Sequence, residues 1–128
     1  MNNLVQWIQT KGDKHITNMS LLSDKIWELQ EVKFETIESA KQMAKTLQEQ
    51  GFSIEFGVAD LDNAFIASYG TTGPTVGFLA EYDALEGVGH ACGHNLLGTG
   101  CALAGIIAKE YQEEFKGSFK VKVYGCPA

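Results

Sequence analysis

The sequence predicts an α/β fold, a mixed β-sheet with flanking helices. Three observations carry this. Apolar residues repeat at three and four positions through most of the first fifty residues. The period falls to two after Gly51. The second half then reads strand, loop, helix, strand, a crossover that favours a parallel or mixed sheet.

A first helix is expected over residues 16–29, where Ile16, Met19, Ile26 and Leu29 fall at roughly helical spacing. Leu4 to Ile8 would extend it forward, against the breaking tendency of Gly12 and Asp13. A second helix is expected over 36–50. Ile37, Ala40, Ala44 and Leu47 mark its apolar face, Glu38, Lys41, Lys45 and Glu49 a solvated one, and Gly51 its stop. Ile54, Phe56 and Val58 then alternate as a short half-buried strand, and 64–69 is a second strand. Gly70-Thr71-Thr72-Gly73-Pro74 is a turn by composition. Thr75 to Ala80 is almost wholly apolar, as in a strand covered on both faces, and Glu81-Tyr82-Asp83 closes it. Gly87 to Asn95 is a glycine-rich loop. A helix follows from Leu96 to Phe115, with Leu97, Ala104, Ile107, Ala108, Tyr111 and Phe115 as its apolar residues, and Gly117 ends it. Phe119, Val121 and Val123 alternate with Lys120 and Lys122 as a last strand. No repeat, low-complexity tract or interdomain linker interrupts the 128 residues.

Composition narrows the function classes. Hydrophobic residues make up 45% and charged residues 20%, enough apolar material for a core. The formal net charge of −6, without a basic stripe, disfavours nucleic acid and anionic membrane surfaces as partners. No basic region followed by an apolar stretch opens the chain, so no secretory signal is evident. The uncharged run from Gly87 to Ala108 holds two histidines, an asparagine and several glycines, and reads as a buried loop and core helix rather than a membrane span. The three cysteines, Cys92, Cys101 and Cys126, do not form a disulfide framework by count, so reduced thiols in a cytoplasm are expected. Cys101 reads as a small buried hydrophobe.

The chemistry is concentrated between Glu81 and Asn95. Glu81 and Asp83 are carboxylates two apart, and His90, Cys92 and His94 follow at alternate positions. In extended backbone, Cys92 and His94 would face one ion, with Gly93 letting the backbone approach. A thiolate and an imidazole suit zinc or a similar transition metal. Carboxylates just upstream would orient ligating histidines. By spacing alone, a glycine loop with a buried thiol and hydrogen-bonded histidines fits equally well. Two rivals are weaker. Gly87-Val88-Gly89 lacks the third glycine of a dinucleotide fingerprint, because position 92 is Cys. A catalytic Cys92–His94 pair would be unusual, since nucleophile and base come from separated segments.

The run Ala80-Glu81-Tyr82-Asp83-Ala84-Leu85-Glu86-Gly87-Val88-Gly89-His90-Ala91-Cys92-Gly93-His94-Asn95 resembles the aminoacylase, carboxypeptidase and p-aminobenzoyl-glutamate hydrolase family of metallopeptidases. It is most similar to the branch whose loop reads Gly-His-Ala-Cys-Gly-His-Asn. The Gly51-Phe52 corner, the Ala64-Phe65 strand and the closing Tyr124-Gly125-Cys126-Pro127-Ala128 fall in the family's order. The resemblance implies a zinc-peptidase-like α/β catalytic domain, of which residues 1–128 would be the amino-terminal part. It implies two divalent metal ions, zinc or else manganese or cobalt, and hydrolysis of an amide bond in an N-acyl amino acid, aminobenzoyl-glutamate or dipeptide-like substrate. Cys92 would be the bridging thiolate, His94 a metal ligand and Asp83 the buried carboxylate behind the metal shell. Glu81 lies where many relatives place a first ligand, and its role stays open, as does that of His90. Glu86 stands where the family usually has proline. Relatives follow Pro-Ala with two glutamates, the first the general base and the second a metal ligand, and these would lie past Ala128. The expectation is therefore half a site, with the rest of the catalytic domain and a homodimer-forming domain absent, and no activity alone. The alternative is a truncated, non-catalytic relative serving as a binding module.

Overall fold

In the computed structural model, which describes residues 3–128, the chain forms α1 (Asn3–Leu29), α2 (Ile37–Glu49), β1 (Ser53–Phe56), β2 (Phe65–Tyr69), β3 (Thr75–Glu81), α3 (His94–Phe115) and β4 (Lys120–Cys126). The sheet order is β1-β2-β4-β3. β1, β2 and β4 pair antiparallel, whereas β3 and β4 pair parallel from Thr75 opposite Lys120 to Glu81 opposite Cys126. The sheet is thus mixed, and α3 is its crossover.

Period-two alternation gives the sheet one core face. Phe65 and Ala67 of β2, Ala80 of β3, and Val121 and Val123 of β4 are buried on it. They meet Met43, Ala44 and Leu47 of α2 and Ala102 and Ile106 of α3. α1 lies chiefly across α3 and α2, through Met19, Leu22 and Ile26.

Several expectations are corrected. α1 is one helix of 27 residues running through Gly12 and Asp13. A mid-helix glycine costs only about 1 kcal/mol relative to alanine. Side-chain pairing with α3 offsets that, including His15 Nε2 2.5 Å from Glu110 Oε1 and Lys11 Nζ 2.9 Å from Glu114 Oε2. Ile16 and Ile37, placed on apolar faces by spacing, are 52% and 54% exposed. β1 stops at Phe56, because Gly57 turns left-handed (φ +77°) and diverts Val58 into a 3₁₀ turn. β3 is the sheet's edge, and among the described residues it is covered on one face only. Leu79, pointing away from the helices, is 62% exposed. An apolar run does not by itself report how many faces are covered.

The buried side of α3 is also not the one its large residues suggested. Asn95, Gly98, Thr99, Ala102, Gly105 and Ile106 are buried, while Leu97 and Phe115 are 46% and 52% exposed. The cause is close approach. A Cβ at Gly105 would stand 2.4 Å from Val123 Cγ2, and one at Gly98 2.2 Å from the Glu81 carbonyl oxygen. Small residues let the helix axis come down onto the sheet, so the bulky ones are left at its sides.

Candidate metal centre

The contact at Gly98 sets the site. It seats the first turn of α3 on the end of β3, and α3 begins at His94, two residues earlier than expected. Gly93, at φ +81°, turns the chain into the helix. Asn95 ties this turn to α1 by donating from Nδ2 to Ser23 Oγ at 3.0 Å. Past β3, alternation sends Tyr82 into the core, fully buried and stacked 6.1 Å from Phe65, and turns Glu81 and Asp83 the other way. The Tyr82 hydroxyl donates to the Asn63 carbonyl at 2.6 Å, and Asn63 Nδ2 donates to Phe34 O and Thr36 Oγ1. Desolvation, with nearby acidic groups adding to it, pushes the Tyr82 phenol far above its usual range, so it stays a neutral donor.

His94 is held by both carboxylates. Its Nδ1 lies 2.7 Å from Asp83 Oδ1 and 3.1 Å from the Asp83 carbonyl, and its Nε2 lies 2.8 Å from Glu81 Oε2. Asp83 is buried, at 7% exposure. Acceptor oxygens face both ring nitrogens, the Asp83 carboxylate and carbonyl at Nδ1 and the Glu81 carboxylate at Nε2, so each nitrogen is placed to donate. The separation at Nε2 is that of a hydrogen bond with a proton between the two atoms, a proton that a metal ion on Nε2 would displace.

The structure brings together Glu81, Asp83 and His94, and Cys92 lies in the turn just before His94. Cys92 is exposed. The backbone from 90 to 97 is not extended but a turn entering a helix, with Gly93 N donating to His90 O and Leu96 N and Leu97 N to Gly93 O. Cys92 and His94 therefore flank a bend rather than share the face of a strand. Among the described residues, no three His, Cys, Asp or Glu side chains converge as a complete ligand set. The donors present fit a metal in kind, an oriented imidazole beside a carboxylate, and fall short of it in number.

His90 is buried at 7% exposure, and neither ring nitrogen has a hydrogen bond of good geometry among the described residues. Desolvation lowers its affinity for a proton, partly opposed by the Ile26 backbone. Its loop rests on the end of α1. Ala84 N donates to Glu31 O, Leu85 and Gly89 exchange backbone hydrogen bonds, and a Cβ on Gly89 would meet Gln30 at 3.3 Å. The Glu31 carboxylate in turn accepts from the Glu38 and Ser39 amides at the start of α2. Cys101 and Cys126 have thiols raised first by desolvation, which makes them poor nucleophiles. Spacing missed Tyr82, Asn63 and Gly98. The alternation across Glu81-Tyr82-Asp83 was the available signal for Tyr82. Gly98 and Asn63 act through contacts that no local pattern reveals.

No family model matches the chain. Individual relatives do. It is 38% identical over 123 residues to a subunit of the p-aminobenzoyl-glutamate hydrolase of Escherichia coli (strain K12), covering 83% of this chain and 26% of that protein. It is 32% identical over 129 residues to the Xaa-Arg dipeptidase of Mus musculus, covering 91% of this chain and 30% of that protein. The human Xaa-Arg dipeptidase is 50% identical over 56 residues, 41% of this chain and 13% of its own length. The chain thus spans less than a third of the curated relatives it matches. Among solved structures, a dinuclear metal-binding peptidase of the M20 family from Bacillus subtilis superposes with a TM-score of 0.74 at 24% identity, over 88% of this chain and 35% of its own. An aminobenzoyl-glutamate utilization protein from Klebsiella pneumoniae does so with 0.71 at 15%, over 94% and 39%. These two likenesses concern the fold. With the sequence relatives and the Glu81–Asn95 loop, they make this chain a member of the aminoacylase, carboxypeptidase and p-aminobenzoyl-glutamate hydrolase family of metallopeptidases.

Proposed function

We propose that this chain is part of a metal-dependent amidohydrolase acting on a small amide, of the N-acyl amino acid, aminobenzoyl-glutamate or dipeptide class, and that residues 1–128 carry half of its site. The observation that carries this is the Asp83–His94 pair. A buried carboxylate 2.7 Å from Nδ1 fixes the tautomer that offers Nε2 as a ligand. Cys92 and His94 would hold the metal from this side, with Asp83 behind His94. The bound metal would supply Lewis acidity toward a carbonyl and an acidified water. This chain's own residues orient the imidazole, Asp83 from the Nδ1 side and Glu81 from the Nε2 side. The general base is expected from residues outside these 128, as is the surface for a homodimer. Zinc suits the nitrogen and sulfur donors best, with manganese or cobalt as substitutes. Three unpaired thiols support a reducing, cytoplasmic compartment.

The test is hydrolysis of p-aminobenzoyl-glutamate, N-acetyl amino acids and dipeptides. The purified 128-residue chain is expected to show no metal-dependent turnover, whereas a polypeptide of its relatives' length carrying this segment turns over and stops when a chelator is added. Turnover by the 128-residue chain itself would contradict the half-site reading. Chelator-resistant turnover in the longer protein would contradict the metal.

A further inference from the structure

The peptide between Asp83 and Ala84 is bonded on both sides. Its carbonyl oxygen lies 3.1 Å from Nδ1 of His94, and its N–H donates to the backbone oxygen of Glu31 at 2.7 Å. A peptide unit is planar, so a hold on its N–H also aims its C=O. The Glu31 backbone thus bears on the His94 ring through one rigid group.

Glu31 is itself fixed. Its Oε1 accepts from the Glu38 amide at 3.0 Å and its Oε2 from the Ser39 amide at 2.7 Å. Those amides open α2. Thr36, the residue placed to cap that helix, makes no capping hydrogen bond with its side chain, and its hydroxyl accepts from Asn63 Nδ2 instead. The cap therefore comes from the far side of the connection between α1 and α2 and closes it into a loop. Gln30 and Phe34, both in this connection, have left-handed backbone, at φ +48° and +63°. Such conformations are unfavourable in non-glycine residues and persist where surrounding bonds impose them. Val32 bridges Ala84 in parallel, and Phe34 N donates to the Pro127 carbonyl at 2.8 Å. The connection thus lies past the ends of both β3 and β4, against the site.

We propose that Glu31 is a positioning residue for His94: its carboxylate, clamped on α2, fixes the backbone oxygen that orients the Asp83–Ala84 peptide toward the ring. The proposal rests on the reading of His94 as a metal ligand, and its main test needs no metal. In the 128-residue chain, Glu31→Ala removes both acceptor oxygens and leaves every backbone group in place. The Ala84 amide is expected to exchange about tenfold faster relative to the amide of Val123 in the sheet, which reports the general loss of stability. The ring-nitrogen resonances of His94 are expected to move with it. Glu31→Gln, which keeps one acceptor, is expected to fall between Glu31→Ala and the parent in both readouts. A residue that only caps α2 lowers the melting temperature and leaves the Ala84-to-Val123 ratio and His94 as they were. That result, or the absence of either change, overturns the proposal. Should Glu31→Ala fail to fold, Glu31→Gln is measured alone. Movement of both readouts then supports the proposal, and parent values in either overturn it. Zinc added to the unsubstituted chain separates the two ideas. A His94 Nε2 resonance that ignores zinc counts against the metal reading, while the metal-free comparison still decides on Glu31.

Discussion

The two ends of α3 are held in different ways. At the His94 end, glycine contact brings the helix against Glu81, and short directed hydrogen bonds fix Asn95 to Ser23 and His94 to Asp83. At the Phe115 end, bulk and surface charge serve instead. Trp7 meets Tyr111 and Phe115 edge-on, each at 5.6 Å, and Lys109 and Lys11 pair with Glu113 and Glu114. An open apolar groove of about 530 Å³, lined by Trp7, Val76, Phe78 and Tyr111 among others, runs along that end. The first end tolerates one geometry, whereas the second tolerates many. Precision is concentrated where a side chain must be aimed.

The comparison is broken most severely at Gly98. Gly98→Val puts side-chain atoms where the Glu81 carbonyl stands, and backbone cannot yield cheaply. A loss of about 3 kcal/mol is expected, measured by urea denaturation, with the His94 resonances displaced. An equal loss from a valine at the exposed Leu97 would erase the distinction between the two sides of the helix. Next comes Asp83→Asn. It preserves shape, yet its amide can present a donor to Nδ1 and so release the tautomer. Metal affinity is expected to fall about 10- to 100-fold with little change in melting. Calorimetric titration with zinc reads this directly.

Tyr82→Phe is a smaller loss. It removes the 2.6 Å bond to Asn63 O, and about 1 kcal/mol is expected at neutral pH. It also carries a pH signature. The phenol's affinity for its proton is raised in the fold, so the unfolded chain releases a proton that the folded chain keeps. Stability from this group is complete below the unfolded value of about 10 and falls as pH rises above it. Alkaline melts should show that decline in the parent sequence and less of it in Tyr82→Phe. Last is Glu113→Gln at the far end. It weakens a partly exposed helix pair with Lys109, and about 0.5 kcal/mol or less is expected, vanishing at high salt.

The same gradient explains what was legible in the sequence alone. The crossover and the mixed sheet were legible because period two and period 3.6 are local properties of sequence. Asp83 and His94 were legible as partners because residue type and family resemblance both selected them, and the structure puts them 2.7 Å apart. The buried side of α3 was not legible. Its residues are apolar on most sides, and only the nearness of Val123 and Glu81 selects the glycine side. The continuity of α1 through Gly12 was hidden likewise, since it depends on α3. Cys92 shows the limit of spacing arguments. Alternation aligned it with His94 only if the backbone were extended, and Gly93 at φ +81° bends it.

The central claim is that Asp83 presents the Nε2 of His94 to a metal. The direct measurement is nitrogen-15 NMR of the histidine rings in the 128-residue chain, with and without added zinc. The expected result is a His94 ring protonated at Nδ1, whose Nε2 resonance alone among the three histidines shifts strongly on titration, and shifts much less in Asp83→Asn. A His94 ring protonated at Nε2, or a zinc response confined to His15 or His90, would contradict it.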